Sequence, residues 1–295
     1  MNSPKERTIL ANGLRHHLLE WGVPNGLPTF FLIHGFMDAA ATWDLVAPHL
    51  LQGGFHCVAM DMRGFGDGPR VPEGAYYHFA DYIFDVADAV DAVSPDRPLV
   101  VVGHSMGGTI ATLFAGAFPE RVSHVVLIEG LGPPDNMHEA APDRMRSWIE
   151  GVRKMKANPL KPLQDESDGV RRLAVNHRSV PAEILASRAK LLMRSEGERV
   201  EWKSDPLHRT LSPVPFFSGV YKAFAARIKA PVLFVSGGTD GYHPPDENER
   251  LAAFQALSKR DFEGAGHMVH WTRSRELAEA IQSFVRSDSH EARND

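Results

Sequence analysis

The sequence predicts an α/β protein: a mostly parallel central sheet flanked by helices, with a helical insertion after the sixth strand. Short continuous apolar runs at 29–33, 98–102, 122–128 and 232–236 have the character of strands buried on both faces. Amphipathic stretches with helical spacing lie between them, and such alternation favours a parallel sheet covered by helices. The alternation breaks off near Leu131 and resumes near Ala230. With 295 residues, 43% of them hydrophobic, the chain is long enough for one large core plus that insertion.

The elements follow in order. Residues 8–10 and 14–21 make an antiparallel hairpin at a sheet edge, joined by Asn12-Gly13, a pair suited to a positive-φ turn. A strand over 30–33 precedes a helix over about 42–51, then a strand over 55–61. The helix over 79–93 carries Phe79, Ile83, Val86, Val90 and Val93 as one apolar stripe. The strand at 98–102 leads to a helix over 108–115 and a strand over 122–128. Beyond the insertion come a strand over 232–236, a helix over 246–257, a short strand over 260–262 and a helix over 273–284. The expected core domain is 1–130 with 230–287, the helical cap 131–229, and the polar stretch 288–295 a disordered tail. The cap opens on Gly130-Leu131-Gly132-Pro133-Pro134, and its clearest helices lie at 144–156 and 181–195.

Gly103-His104-Ser105-Met106-Gly107 sits between a buried-strand run and a helix. A serine on such a tight turn has its hydroxyl pushed out of the sheet, and Gly103 and Gly107 let the backbone turn without clashes. The five-residue pattern alone arises by chance in roughly one chain in ten of this length, so its surroundings carry the argument. An activated serine needs a base and an acid that orients the base. His267 lies in a glycine-rich loop, Gly264-Ala265-Gly266-His267, and Asp240 follows the strand at 232–236. Glu129, at the end of the strand at 122–128, is the alternative acid. Asp240 is preferred for its offset of three from Gly237 and for Pro244 four residues on. His34-Gly35-Phe36-Met37 follows the strand at 30–33, and the backbone N–H groups of Phe36 and Met106 are the expected oxyanion donors. His34, His104 and Arg63 are expected to position loops, and His270, beside Trp271, to pack. His16 and His17 point to opposite faces of a strand and cannot chelate one metal; no metal site is expected.

Together with Asp61-Met62-Arg63-Gly64-Phe65-Gly66, these motifs make the chain resemble the α/β-hydrolase-fold serine hydrolases from about Thr8 to about Arg286. The stretch from Trp202-Lys203-Ser204-Asp205-Pro206 to Leu211-Ser212-Pro213 is similar to the serine-hydrolase-like (Kraken) branch. The resemblance implies a Ser/Asp/His triad, no cofactor and a helical cap over the site. The chain order of Ser105, Asp240 and His267 agrees with it.

The expected reaction is hydrolysis of small to medium carboxylic esters through an acyl-enzyme. Hydrolysis of a carbon–carbon bond in a vinylogous diketone, or a slow-turnover ligand receptor, are the alternatives. A serine at position 105 excludes the aspartyl chemistry of epoxide hydrolases and haloalkane dehalogenases. The partner is a small-molecule ester; a net charge of −5 suggests neither nucleic acid nor an anionic membrane, and the oligomeric state is left open. No apolar run is long enough to span a membrane. The N-terminus lacks the apolar stretch of a secretory signal and Cys57 stands alone, which makes the cytoplasm the expected location. Residues 131–230 hold 18 Lys and Arg against 12 Asp and Glu, the remainder 14 against 25. That excess suits an anionic substrate, although solvated helix faces are the favoured reading.

Overall fold

The computed structural model describes residues 3–197 and 199–291. Strands β1 (Lys5–Ala11) and β2 (Leu14–Trp21) form the expected hairpin, turning on Asn12 and Gly13 at φ 47° and 72°. β3 (Phe30–Ile33) leads through a 3-10 turn, Ala40–Leu45, to α1 (Ala47–Gln52). The single helix expected over 42–51 is therefore broken. Pro48 has no N–H to continue a helix and falls in the first turn of a new one. Next come β4 (Cys57–Met60), α2 (Phe79–Val93), β5 (Leu99–His104), α3 (Met106–Ala117) and β6 (Val122–Ile128).

The insertion contains α4 (Ala141–Ala157), α5 (Glu166–Asn176) and α6 (Ala182–Leu192). It also holds an antiparallel pair that the sequence reading did not anticipate, β7 (Met193–Glu196) with β8 (Arg199–Trp202). The helix α7 (Ser218–Ala225) follows. The chain ends with β9 (Val232–Ser236), α8 (Glu247–Leu251), β10 (Leu257–Asp261), α9 (Val269–Thr272) and α10 (Ser274–Glu291). Because α10 runs to Glu291, the first four residues of the stretch expected to be a disordered tail are helical; 292–295 lie outside the described residues.

Eight strands form one sheet in the order β1-β2-β4-β3-β5-β6-β9-β10, antiparallel only where β2 meets β1 and β4. The pleat sorts alternate residues to opposite faces. Phe31, Ile33, Leu99 and Val101 join the core under α2, α3 and α7, while Phe30, Leu32, Val100 and Val102 join the core under α1 and α10. Both cores need every residue of these runs to be apolar, which is why β3 and β5 read as unbroken hydrophobic stretches. From β3 the chain winds one way to β4 and the other way to β5. The carboxyl ends of β3 and β5 therefore flank the switch point where open α/β sheets bind ligands.

The stretch 131–229 is tied to the sheet at several points. Buried Arg250 donates from one terminal nitrogen to the carbonyls of Leu131, Gly132 and Pro133, clamping the entry linker. Arg188 of α6, also buried, reaches Asp44 at 2.5 and 2.9 Å and the carbonyl of Thr42. Asp205 donates its backbone N–H to the carbonyl of Gly64 and accepts the Tyr77 hydroxyl at 2.8 Å. By contrast, α7 packs into the core itself: Tyr221 is buried, its hydroxyl is 3.1 Å from that of Thr112, and Gly116 lies against the Phe224 backbone. Among the described residues no helix is long and apolar enough to cross a membrane.

Candidate active site

Ser105 stands between β5 and α3 at φ 52° and ψ −115°, a conformation that costs a side-chain-bearing residue energy and persists only when its surroundings enforce it. They do so here. The Ser105 N–H donates to the carbonyl of Ile128 at 2.9 Å, and the Ser105 carbonyl accepts from Gly108 and Thr109. A Cβ on Gly103 would overlap the Gly107 carbonyl, and one on Gly107 would overlap the Ile33 carbonyl, so neither neighbour tolerates a side chain. The same turn makes Met106 the first residue of α3, and its N–H has no acceptor within the helix.

The loop after β3 lies against this turn. A Cβ on Gly35 would sit 2.6 Å from His104 Nδ1 and 3.3 Å from the Ser105 Cβ, so only glycine lets the loop come this close. His34 is buried; its Nε2 accepts from the Met62 N–H at 3.1 Å, leaving Nδ1 to donate to the Gly35 carbonyl at 2.7 Å. It holds the loop rather than reacting. Phe36 is 52% exposed despite being aromatic and borders the cavities described below.

The acid facing His267 is Glu129, not Asp240. His267 Nδ1 lies 3.3 Å from Glu129 Oε2, with the carboxylate side chain fully buried and the imidazole 34% exposed. Glu129 occupies its own strained turn at φ 53°. Its carboxylate accepts the Gly237 N–H at 2.5 Å and the Tyr242 N–H, which offsets the cost of burying it. Asp240 instead closes a 3-10 turn, Gly238–Asp240, and is exposed. The turn itself explains this outcome. Gly237 is pressed against the Gly266 backbone and Gly238 takes φ 76°, a path that leaves Asp240 at the surface and brings the Tyr242 amide to Glu129.

A row of buried groups lies behind His267. His104 Nε2 donates to the His267 carbonyl at 2.9 Å, while its Nδ1 has no partner; burial pushes its pKa well down and keeps the ring neutral. His270 is buried 4.1 Å, ring to ring, from His104 and lies 3.3 Å from Asp38. Asp38, His104 and His270 are one of two groups among the described residues whose ligand-type atoms lie close enough to hold a metal ion. His17, Asp61 and Asp67 are the other, and there His17 is already bonded to Asp61 at 2.7 Å.

Two cavities, of about 500 and 550 Å³, meet at Ser105, Phe36 and His267. The first is bordered by Arg172, Trp202, Lys203 and Arg209 from the insertion. The second has walls of Tyr76, Tyr77, Phe79, Tyr82 and Pro133. Apart from Phe36, none of these wall residues is assigned to the site by the sequence, because the path of the insertion decides which of them face inward. Glu129-Gly130 was the one local signal for the acid. A strand-end carboxylate followed by glycine suits a close turn, and Gly130 does pack against Gly108.

Residues 28–274 match the family model described as the alpha/beta hydrolase fold. The serine hydrolase-like protein of Danio rerio is 38% identical over 112 residues, 38% of this chain and 33% of that protein. The 2-hydroxy-6-oxo-2,4-heptadienoate hydrolase of Pseudomonas putida is 34% identical over 135 residues, 45% of this chain and 47% of that protein. The matched region thus spans about a third of the first relative and about half of the second. Among solved structures, a thioesterase domain from the curacin biosynthetic pathway superposes with a TM-score of 0.81 at 23% identity, covering 97% of this chain and 100% of that one. At that identity the likeness speaks for the fold.

Proposed function

We propose, from the premise that the chain belongs to the alpha/beta hydrolase fold family, that it hydrolyses carboxylic esters of small to medium size through Ser105, His267 and Glu129. One observation carries the reading: an imidazole bonded to a fully buried carboxylate borders the same cavities as a serine held in a strained turn. His267 takes the Ser105 proton as the oxygen attacks the ester carbonyl, and ionised Glu129 keeps the imidazole in the tautomer that leaves Nε2 free to accept it. The N–H groups of Phe36 and Met106 stabilise the tetrahedral oxyanion, at on the order of 10²–10³ in rate for such a donor. The imidazolium then protonates the departing alcohol, and water repeats the sequence on the acyl-enzyme.

The test compares turnover of short aryl esters and labelling by a fluorophosphonate in the wild type and in Ser105→Ala. Loss of both in the variant is expected; undiminished turnover refutes the reading. The match to the Pseudomonas putida hydrolase favours a second reading, cleavage of a carbon–carbon bond in a dienoate substrate. Faster turnover of such a ring-fission product than of any aryl ester would select it.

A further inference from the structure

The two cavities that meet at Ser105 differ in chemistry, and the difference specifies a substrate. On one side stand the rings of Tyr76, Tyr77, Phe79, Tyr82 and Tyr242 with Pro133, and Arg144 is spent on the carbonyl of Ser212. On the other, Arg172, Lys203 and Arg209 reach the cavity from the insertion. Arg172, Trp202, Ser204 and Arg209 also form a wall of an adjoining groove of about 610 Å³ across the insertion. That groove is lined by seven Arg and Lys side chains and only two carboxylates, Glu196 and Glu201.

Some of this charge is already used. Lys203 pairs with Asp67, Arg172 with Asp168, and Arg194 and Arg199 share Glu201. Arg70, Lys156, Lys161 and Arg209 have no ion pair among the described residues, and the indole N–H of Trp202 has no acceptor. The positive excess of the insertion is thus gathered along a track that starts at the serine, where solvated helix faces would have spread it around the surface. Several separated cations suit several separated anionic groups; a single carboxylate would need only one of them.

We infer that the substrate is an ester or thioester with an apolar half held among the tyrosines and a polyanionic, phosphate-bearing half laid along the Arg209–Lys161 groove. The inference rests on the hydrolase reading above. For a thioester, the Ser105 oxygen forms a bond to the carbonyl carbon, the carbon–sulfur bond breaks, and the proton taken by His267 goes to the departing thiolate. Water then supplies the oxygen of the released acid, and its second proton returns to Ser105.

The test uses two thioesters with the same acyl group and bond, benzoyl-coenzyme A and benzoyl-N-acetylcysteamine, of which only the first carries phosphates. Expected is a kcat/KM at least about tenfold higher for the coenzyme A thioester at low salt, mostly through KM, with the advantage shrinking as salt screens it. The double variant Arg209→Glu, Lys161→Glu should abolish that preference, while Arg275→Glu on the outer face of α10, which also reverses a positive charge, should keep it. Independently of turnover, calorimetry on Ser105→Ala should show coenzyme A binding more tightly than pantetheine, and the double variant should remove the difference. Equal kcat/KM for the two thioesters, or equal binding of coenzyme A and pantetheine, overturns the inference while leaving the hydrolase reading standing. So does a preference for an aryl glutarate half-ester over the matching pentanoate ester without any preference for coenzyme A. If no ester or thioester is turned over, the hydrolase reading fails, and the calorimetry still decides whether the groove takes a polyanion.

Discussion

The carboxyl edge of the sheet and the insertion beside it are built on opposite principles. At the edge, backbone packs on backbone: Gly103 on Gly107, Gly107 on Ile33, Gly108 on Gly130, Gly237 on Gly266. Nothing there can shift without its neighbours. In the insertion, α4 has no buried residue at all; α7 packs into the core, and the rest is fastened by a few polar ties and one small apolar cluster, Val180 and Leu185 against Met268 and Trp271. The difference teaches where each task can reside. Proton transfer needs atoms fixed to a fraction of an ångström, and the proposed reading puts it where packing allows little choice. Substrate choice needs surfaces that can vary, and the proposed reading puts it on the insertion, where α4 buries no residue.

The sharpest way to break the comparison is at the edge. Ser105→Ala should lower kcat/KM for aryl esters by about 10³-fold or more with the fold intact, read by steady-state kinetics beside circular dichroism. Glu129→Gln should follow at about 10²–10⁴-fold in kcat. Asp240→Asn, exposed and with the imidazole bonded to Glu129 instead, should stay within about twofold, the usual scale for a surface change. Were the two carboxylates to exchange these results, the assignment of the acid would be reversed. Gly103→Ala should cost stability as well as activity, about 1–3 kcal/mol by denaturant titration, because its methyl meets the Gly107 carbonyl in the turn that carries Ser105.

Acid supplies a milder test. Burial holds His104 neutral and pushes His208, stacked 3.9 Å from Phe65, down to about 4. Both rings take up protons more readily in the unfolded chain, so the stability they contribute is complete above about pH 6.5 and is lost as pH falls toward 4. A melting temperature that rises between pH 4 and 7 is expected. His208→Phe, which keeps the stacking, should flatten that rise. A small effect belongs to the seam between core and insertion: Tyr77→Phe removes the hydroxyl held by Asp205 and should cost about 1 kcal/mol, with KM altered more than kcat.

Much of the edge was legible in the sequence, because its glycines and apolar runs answer to local geometry. The hairpin on Asn12-Gly13, the bounds of α2 and β6, and the placement of Ser105 all follow from such rules. The carboxylate that faces His267 was legible only as the alternative, Glu129, beside the preferred Asp240. In register Ile128 pairs with Val235, so Glu129 and the turn leading to Asp240 leave neighbouring strand ends from nearly the same level. The turns at Glu129, φ 53°, and Gly238, φ 76°, which chain order and residue offsets do not encode, separate them. β7 and β8 were missed for a related reason. Their polar alternation is weak, Met193 follows directly on α6, and the turn at Gly197 lies within a run of charges that reads equally well as a helix end.

The packing of Gly130 on Gly108 has a mechanical outcome. Those two residues follow the turns that carry Glu129 and Ser105, and both turns belong to adjoining parallel strands. Carboxylate and hydroxyl therefore ride on one stiff bracket, while the imidazole hangs from a separate arm beyond β10, pinned to the bracket through the His104 ring and tied to the next strand end by the Gly266 N–H on the Gly237 carbonyl. On the proposed reading, loosening that pin should slow catalysis without displacing the serine.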